Sequence, residues 1–211
     1  MTIQALASAG GQAAELASIL RRAPTVMRAL RAAREVDAPD WLVGAGAIRN
    51  AVWDTLHRRT PAAPTDVDLV FRDPDDLTPT RDATVREALC RRAPLPWDAS
   101  NQAAVHLWYP QRFGMCVPPL LSSAAGVATW PEIATCAGVR LLAGDDLLVV
   151  APYGLDDLLN GVCRHNPALV PVETYELRVR EKGFGARWPR LQLVSAADPD
   201  PAHRGGGGTT A

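Results

Sequence analysis

The stretch "WLVGAGAIRNAVWDTLHRRTPAAPTDVDLVF", residues 41–71, constrains this chain most. A short apolar run, Trp41 to Val43, enters a turn of small residues, Gly44, Ala45 and Gly46. Ile48, Val52 and Leu56 then recur at helical spacing from Gly46 to His57. After the loop "TPAAPT", Val67, Leu69 and Phe71 alternate with Asp66, Asp68 and Val70, the period of a strand. Residues two apart on a strand project to one face, so Asp66 and Asp68 point together. Two carboxylates so placed repel unless one is protonated or a cation binds. A hard divalent ion such as Mg²⁺ accepts oxygen ligands and keeps positions for phosphate. A small-residue turn opening a helix offers free backbone N–H groups to an anion. Strand, turn, helix and D-x-D together predict one site for a metal and a phosphate chain.

The 211 residues suit one globular domain with a small appendage. The net charge of −1 argues against a protein held to nucleic acid by bulk charge, while leaving room for a local basic patch. Lys182 is the only lysine, and the Ala, Arg and Pro excess reads as compositional bias. Cys90, Cys116, Cys136 and Cys163 lack C-x-x-C spacing, which predicts free, mostly buried thiols in a reducing compartment. With no secretory leader and no apolar run of about twenty residues, the expectation is a cytoplasmic protein without a membrane span.

Residues 12–36 read as two short helices separated by Pro24. A polar loop containing Asp73, Asp75 and Asp76 leads to a helix at about 82–92. "WDASNQAAVHLWY", residues 97–109, reads as a strand, and residues 122–137 as a helix interrupted by Pro131. "VRLLAGDDLLVV" predicts a β-hairpin around Gly-Asp, and "GLDDLLNGVCRH" a short helix. The tail after residue 194, with "GGGG", has a low-complexity composition typical of disorder. The expected fold class is α+β, a small mixed sheet with added helices. Its expected parts are N-terminal helices over 1–37, a core over 38–194 and a tail over 195–211.

"GAGAIRNAVWDTLHRRTPAAPTDVDLVF" resembles the signature of the polymerase-beta-like nucleotidyltransferase superfamily. Residues 45–50 are similar to the Gly-Gly-x-Val-Arg-Asp of CCA-adding tRNA nucleotidyltransferases. The recurring pieces "AGAIRNAVWD", "TDVDLVF", "NQAAVH", "WPEIATCAGVRL" and "APYGLDDL" resemble a family of small bacterial nucleotidyltransferase-like proteins over roughly residues 38–192. The resemblance implies that Asp66 and Asp68 are catalytic acids holding Mg²⁺ or Mn²⁺. It also implies that Gly44, Ala45, Gly46 and Arg49 meet the nucleotide, and that Asp98 is the third acid. This chain has Ser100 and Ala104 where the family often has basic residues, and Ala45 where Gly or Ser is usual.

The reaction so implied moves a nucleoside monophosphate from a nucleoside triphosphate to an acceptor hydroxyl. The acceptor is open among small molecule, nucleic acid and protein side chain. The alternative is a non-catalytic relative that binds a nucleotide or partner. A D-x-D sugar-nucleotide transferase is disfavoured, because a larger α/β portion would normally precede its D-x-D. Asn101, Gln102 and His106 stand between a buried hydrogen-bond network and a site role. Trp41, Trp53, Trp97, Trp108 and Trp130 read as core and rim.

Overall fold

A computed structural model describes residues 10–194. The chain opens with helices α1 (Gly10–Arg21) and α2 (Pro24–Val36). Pro24 opens the second helix, where its missing N–H costs nothing. Strand β1 (Leu42–Gly44) leads into α3 (Ala45–Leu56), then β2 (Val67–Phe71), α4 (Pro79–Arg92) and β3 (Trp97–Asn101). A 3₁₀ turn (Gln102–Ala104) runs into α5 (Val105–Phe113), followed by α6 (Ser123–Val127) and a second 3₁₀ turn (Ile133–Thr135). The hairpin β4 (Gly138–Leu141) and β5 (Leu147–Val150) completes the main sheet. Helix α7 (Asp156–Asn160), strand β6 (Val162–Cys163), helices α8 (Val172–Lys182) and α9 (Phe184–Arg187) and strand β7 (Gln192–Leu193) finish the described chain.

The main sheet has the order β3-β2-β1-β4-β5. Only β2 and β3 run parallel in it, joined through α4. The fold is the expected α+β class with a mixed sheet. Strand alternation decides which side each residue serves. Val43, Val67, Leu69, Phe71, Val139 and Leu141 join one large core with Leu16, Leu20, Leu30, Ile48, Val52 and Trp53 from α1 to α3. Leu42, Val70 and Val150 face the other way, into a smaller cluster with Val127 and Cys136. That second side is only partly covered, and Asp68 lies on it.

Three local expectations need correction. The strand expected over 97–109 stops at Asn101, because the buried Asn101 side chain turns the chain. It accepts from the Ala103 N–H at 3.1 Å and from Asp73 N–H at 2.9 Å, and donates to the carbonyls of Asp73 and Asp76. The same bonds pin the acidic loop, in which Asp73 also pairs with Arg81 at 2.7 Å. The segment from Gly154 to His165 is not one helix: α7 ends at Gly161, at φ +68°, and β6 follows and pairs with β7. The thiols divide evenly, Cys136 and Cys163 buried and Cys90 and Cys116 exposed. Burial pushes the Cys136 thiol up to about 12, so it stays protonated. The tail expected to be disordered, 195–211, lies outside the described residues, as do residues 1–9. Among the described residues no helix is long and apolar enough to cross a membrane.

Candidate active site

Sheet register sets the acids in a row. Gly44 is the partner of Asp68 across β1 and β2, and Asp68 is the partner of Asp98 across β2 and β3. Neighbouring strands lie about 4.8 Å apart, and register partners share a face. Asp66, one residue before β2, joins Asp68 in lining a pocket of about 280 Å³. Ala45, Gly46 and Arg49 of α3 line it too, with Arg178 and Lys182 of α8 and Arg187 of α9. Asp98 is exposed and lines an adjoining cavity that it shares with Asp68.

The turn is shaped by what presses on it. A Cβ on Gly44 would stand 2.5 Å from the Trp130 ring and 2.9 Å from the Ala137 carbonyl oxygen, so only glycine fits there. Gly44 is therefore covered by Trp130 and does not line the pocket. A Cβ on Gly46 would stand 3.3 Å from Asp66 Oδ1, which brings the helix start directly against the first acid. Ala45 holds φ +50°, a left-handed backbone that an L side chain rarely adopts. Such strain persists where the surroundings enforce it, often at ligand sites.

Asp68 titrates at about 6, raised first by burial, then by the charges of Asp66 and Asp98. Among the described residues none of these three carboxylates has an ion-pair partner. Thr65 Oγ1 donates to Asp66 Oδ1 at 3.3 Å. Hard oxygen donors, half-buried and mutually repelling, fit a divalent cation, whose charge would remove the repulsion. Among the described residues no three His, Cys, Asp or Glu side chains stand gathered as a preformed metal cage. Asp66, just before β2, and Asp68 on it fit an ion that takes its remaining ligands from water and phosphate.

Arg49 lines the pocket, but its guanidinium is only 4% exposed and its donors are engaged. It donates to Asn50 Oδ1 at 3.1 and 3.3 Å and to Thr135 Oγ1 at 3.1 Å. It lies 4.5 Å from the Phe184 ring centroid and 5.2 Å from that of Trp53. Its counter-charge is Glu132, fully buried, at 3.5 Å. Arg178 Nε donates to the other oxygen of Glu132 at 2.6 Å, and Thr135 Oγ1 donates to Glu132 Oε2 at 2.7 Å. One buried carboxylate thus ties α3 to α8 behind the pocket. Burial lowers the Arg49 pKa, against the pull of Glu132. Arg178, bound to Glu132 through Nε and one-third exposed, faces both the pocket and the adjoining cavity.

Sequence reading missed Glu132, Thr135, Arg178, Lys182 and Arg187. Glu132 carried a signal, a single acid inside "WPEIATCAGV", where an ionised side chain is buried only with partners. Helix α8 carried another: Glu173 in its first turn and Arg180 and Lys182 in its last suit the helix dipole. Asn101 is a loop anchor, and Gln102 donates to the Ser100 carbonyl at 3.1 Å. The buried His106 Nδ1 has no hydrogen-bond partner among the described residues. Trp41, Trp53 and Trp97 are core, while Trp108 and Trp130 face the site.

Comparison with known proteins gives the family and the fold. A family model described as nucleotidyltransferase matches residues 31–193, and the chain belongs to that family. No curated protein matches the sequence. A solution structure described as a CCA-adding enzyme head domain is similar at 28% identity, with a TM-score of 0.72, covering 87% of this chain and 96% of that one. A CCA-adding enzyme in complex with CTP shares the fold at 16% identity and a TM-score of 0.50, covering 90% of this chain and 44% of that one. The Thermotoga maritima CCA-adding enzyme complexed with tRNA aligns at 15% identity and a TM-score of 0.49, over 86% and 42% of the two chains. The chain spans less than half of those two enzymes. The class of the protein is that of nucleotidyl-transferring enzymes.

Proposed function

We propose that this protein transfers a nucleoside monophosphate from a nucleoside triphosphate to an acceptor hydroxyl, with Mg²⁺ or Mn²⁺ held by Asp66 and Asp68. One observation carries the reading: a single small pocket combines these two acids, neither with an ion-pair partner among the described residues, with the opening turn of α3 and the cations Arg178, Lys182 and Arg187. Acids alone would repel a triphosphate, and cations alone would not assemble a metal site. Together they suit a metal-bound phosphate chain. The family match and the CTP complex of a protein with the same fold support the donor.

In this scheme Asp66 and Asp68 bind the ion through carboxylate oxygens. The ion, when bound, supplies charge neutralisation at the phosphate oxygens. The backbone N–H groups of Ala45 and Gly46 meet the phosphates at the positive end of α3, with Gly44 shaping the turn and Arg49 bracing it from behind. Arg178, Lys182 and Arg187 supply positive charge from the opposite wall. Asp98, beside Asp68 in the row, accepts the proton of the acceptor hydroxyl. The acceptor oxygen bonds to the α-phosphorus, and the bond to pyrophosphate breaks.

The test is incubation of α-labelled nucleoside triphosphate with a cell-extract acceptor pool and Mg²⁺. Wild type transfers label, Asp68→Asn loses about a hundredfold or more in rate, and Asp98→Ala loses transfer while keeping triphosphate binding. Binding without transfer by wild type turns the reading to the non-catalytic relative. No triphosphate binding with either ion contradicts the proposal.

A further inference from the structure

The cavity beside the triphosphate pocket differs from it in chemistry. It encloses about 620 Å³ between α5 and α8, with Asp68, Asp98 and Ser100 on its floor. Its α5 wall is aromatic. The ring centroids of Trp108, Tyr109 and Phe113 lie 5.7, 6.5 and 4.6 Å apart in their three pairs. Leu177 faces it from α8. Phe113 is 51% and Leu177 48% exposed, so large apolar side chains meet water inside a concave space. That arrangement is what a small apolar ligand covers.

Charge and position narrow the occupant. A polynucleotide is held by a run of cations along its phosphates. Among the described residues the cations that line this cavity are Arg178 and Lys182, and both also line the triphosphate pocket. Glu181, Asp68 and Asp98 line the cavity as well and would repel a second phosphate chain. Asp98, the acid assigned to the acceptor, opens here and not into the triphosphate pocket. A flat ring stacks well on aromatic side chains. The volume is that of a site for a compact molecule.

We propose that this cavity is the acceptor site, and that the acceptor is an uncharged small molecule carrying a planar ring and a hydroxyl. The ring lies against Trp108, Tyr109 and Phe113, with the hydroxyl at Asp98. There the hydroxyl proton passes to the Asp98 carboxylate, the oxygen bonds to the α-phosphorus and pyrophosphate leaves. This rests on the nucleotidyl-transfer reading above and adds the class of acceptor to it.

The probe is 2-naphthol, a neutral fused ring with one hydroxyl, followed by its fluorescence. Wild type binds it at about 1 mM or tighter, as a ligand this small can. Leu177→Arg and Phe113→Ser alter exposed positions, and circular dichroism checks that each folds. Each weakens naphthol binding about tenfold, while binding of a non-hydrolysable triphosphate with Mn²⁺ changes less than about twofold. Naphthol stays bound when the triphosphate saturates. Displacement by the triphosphate would assign the cavity to the donor nucleoside and overturn the proposal. Displacement by an oligoribonucleotide, unchanged binding in both variants, or no wild-type binding at about 1 mM would overturn it equally. Those results leave triphosphate binding, and so the parent reading, standing. Wild type that binds naphthol but no triphosphate ends the parent reading, and the acceptor assignment with it.

Discussion

Strand β2 has two faces, and they behave as different materials. On one, Val67, Leu69 and Phe71 are at most 1% exposed and meet the core of α1 to α3. On the other, Asp68 stands half-buried, without an ion-pair partner among the described residues, between Gly44 and Asp98 in the row across the sheet. The first face is satisfied and holds the fold. The second is apolar at Val70, which packs with Leu42 and Val127, and carboxylate at Asp68. Five consecutive residues therefore carry both a core face and the acid on which the proposed chemistry rests, separated only by the alternation of a strand.

Substitutions on the two faces should act in opposite directions. Phe71→Ala removes a fully buried ring from the closed face and costs about 3–5 kcal/mol, measured by urea unfolding. Glu132→Gln removes the buried charge shared by Arg49 and Arg178. Breaking a buried pair on one side costs about 3 kcal/mol, and it should also weaken triphosphate binding, because Arg178 loses its anchor. A Glu132→Gln variant of unchanged stability would show that the brace behind the pocket is slack.

Asp68→Asn should stabilise the chelator-treated protein at pH 7 by an amount of order 2 kcal/mol. The sign follows from its titration. The folded-state value is about 6 against 3.8 for the free side chain, so the native state holds this proton more tightly than the unfolded chain. Stability is full below about pH 4, falls as the pH rises to about 6, and is flat above. The gap between variant and wild type should open across that window. A gap independent of pH would mean that neither burial nor the neighbouring acids raise Asp68. The smallest effect is expected at the turn. Ala45→Gly relieves a left-handed backbone and should raise stability by about 1 kcal/mol, seen as a shifted urea midpoint with unchanged slope.

The closed face was legible in the sequence because alternation and helical spacing are local. Val67, Leu69 and Phe71, and Ile48, Val52 and Leu56, announce their partners' sidedness without knowledge of the partners. The turn and the D-x-D were legible for the same reason, and Gly46 does lie against Asp66. The far wall of the site was not. Arg178, Lys182 and Arg187 come from α8 and α9, more than a hundred residues after Asp68, and nothing in their own segment says which pocket they reach. Residues 102–109 misled because "AAVHLWY" is apolar in either conformation. The deciding group is the Asn101 side chain, whose bonds to residues 73 and 76 are tertiary. Arg49 shows the limit of a motif, which places the residue at the pocket but does not reveal that Glu132 and Thr135 already occupy its donors.

The central claim is that the open face of β2 is a divalent-ion site for a triphosphate. Calorimetric titration of Mn²⁺, with a non-hydrolysable nucleoside triphosphate present, tests it most directly in wild type, Asp66→Asn and Asp68→Asn. The account predicts binding by wild type and a loss of about tenfold or more in each variant, with both variants folded. Equal Mn²⁺ affinity in all three proteins would contradict it.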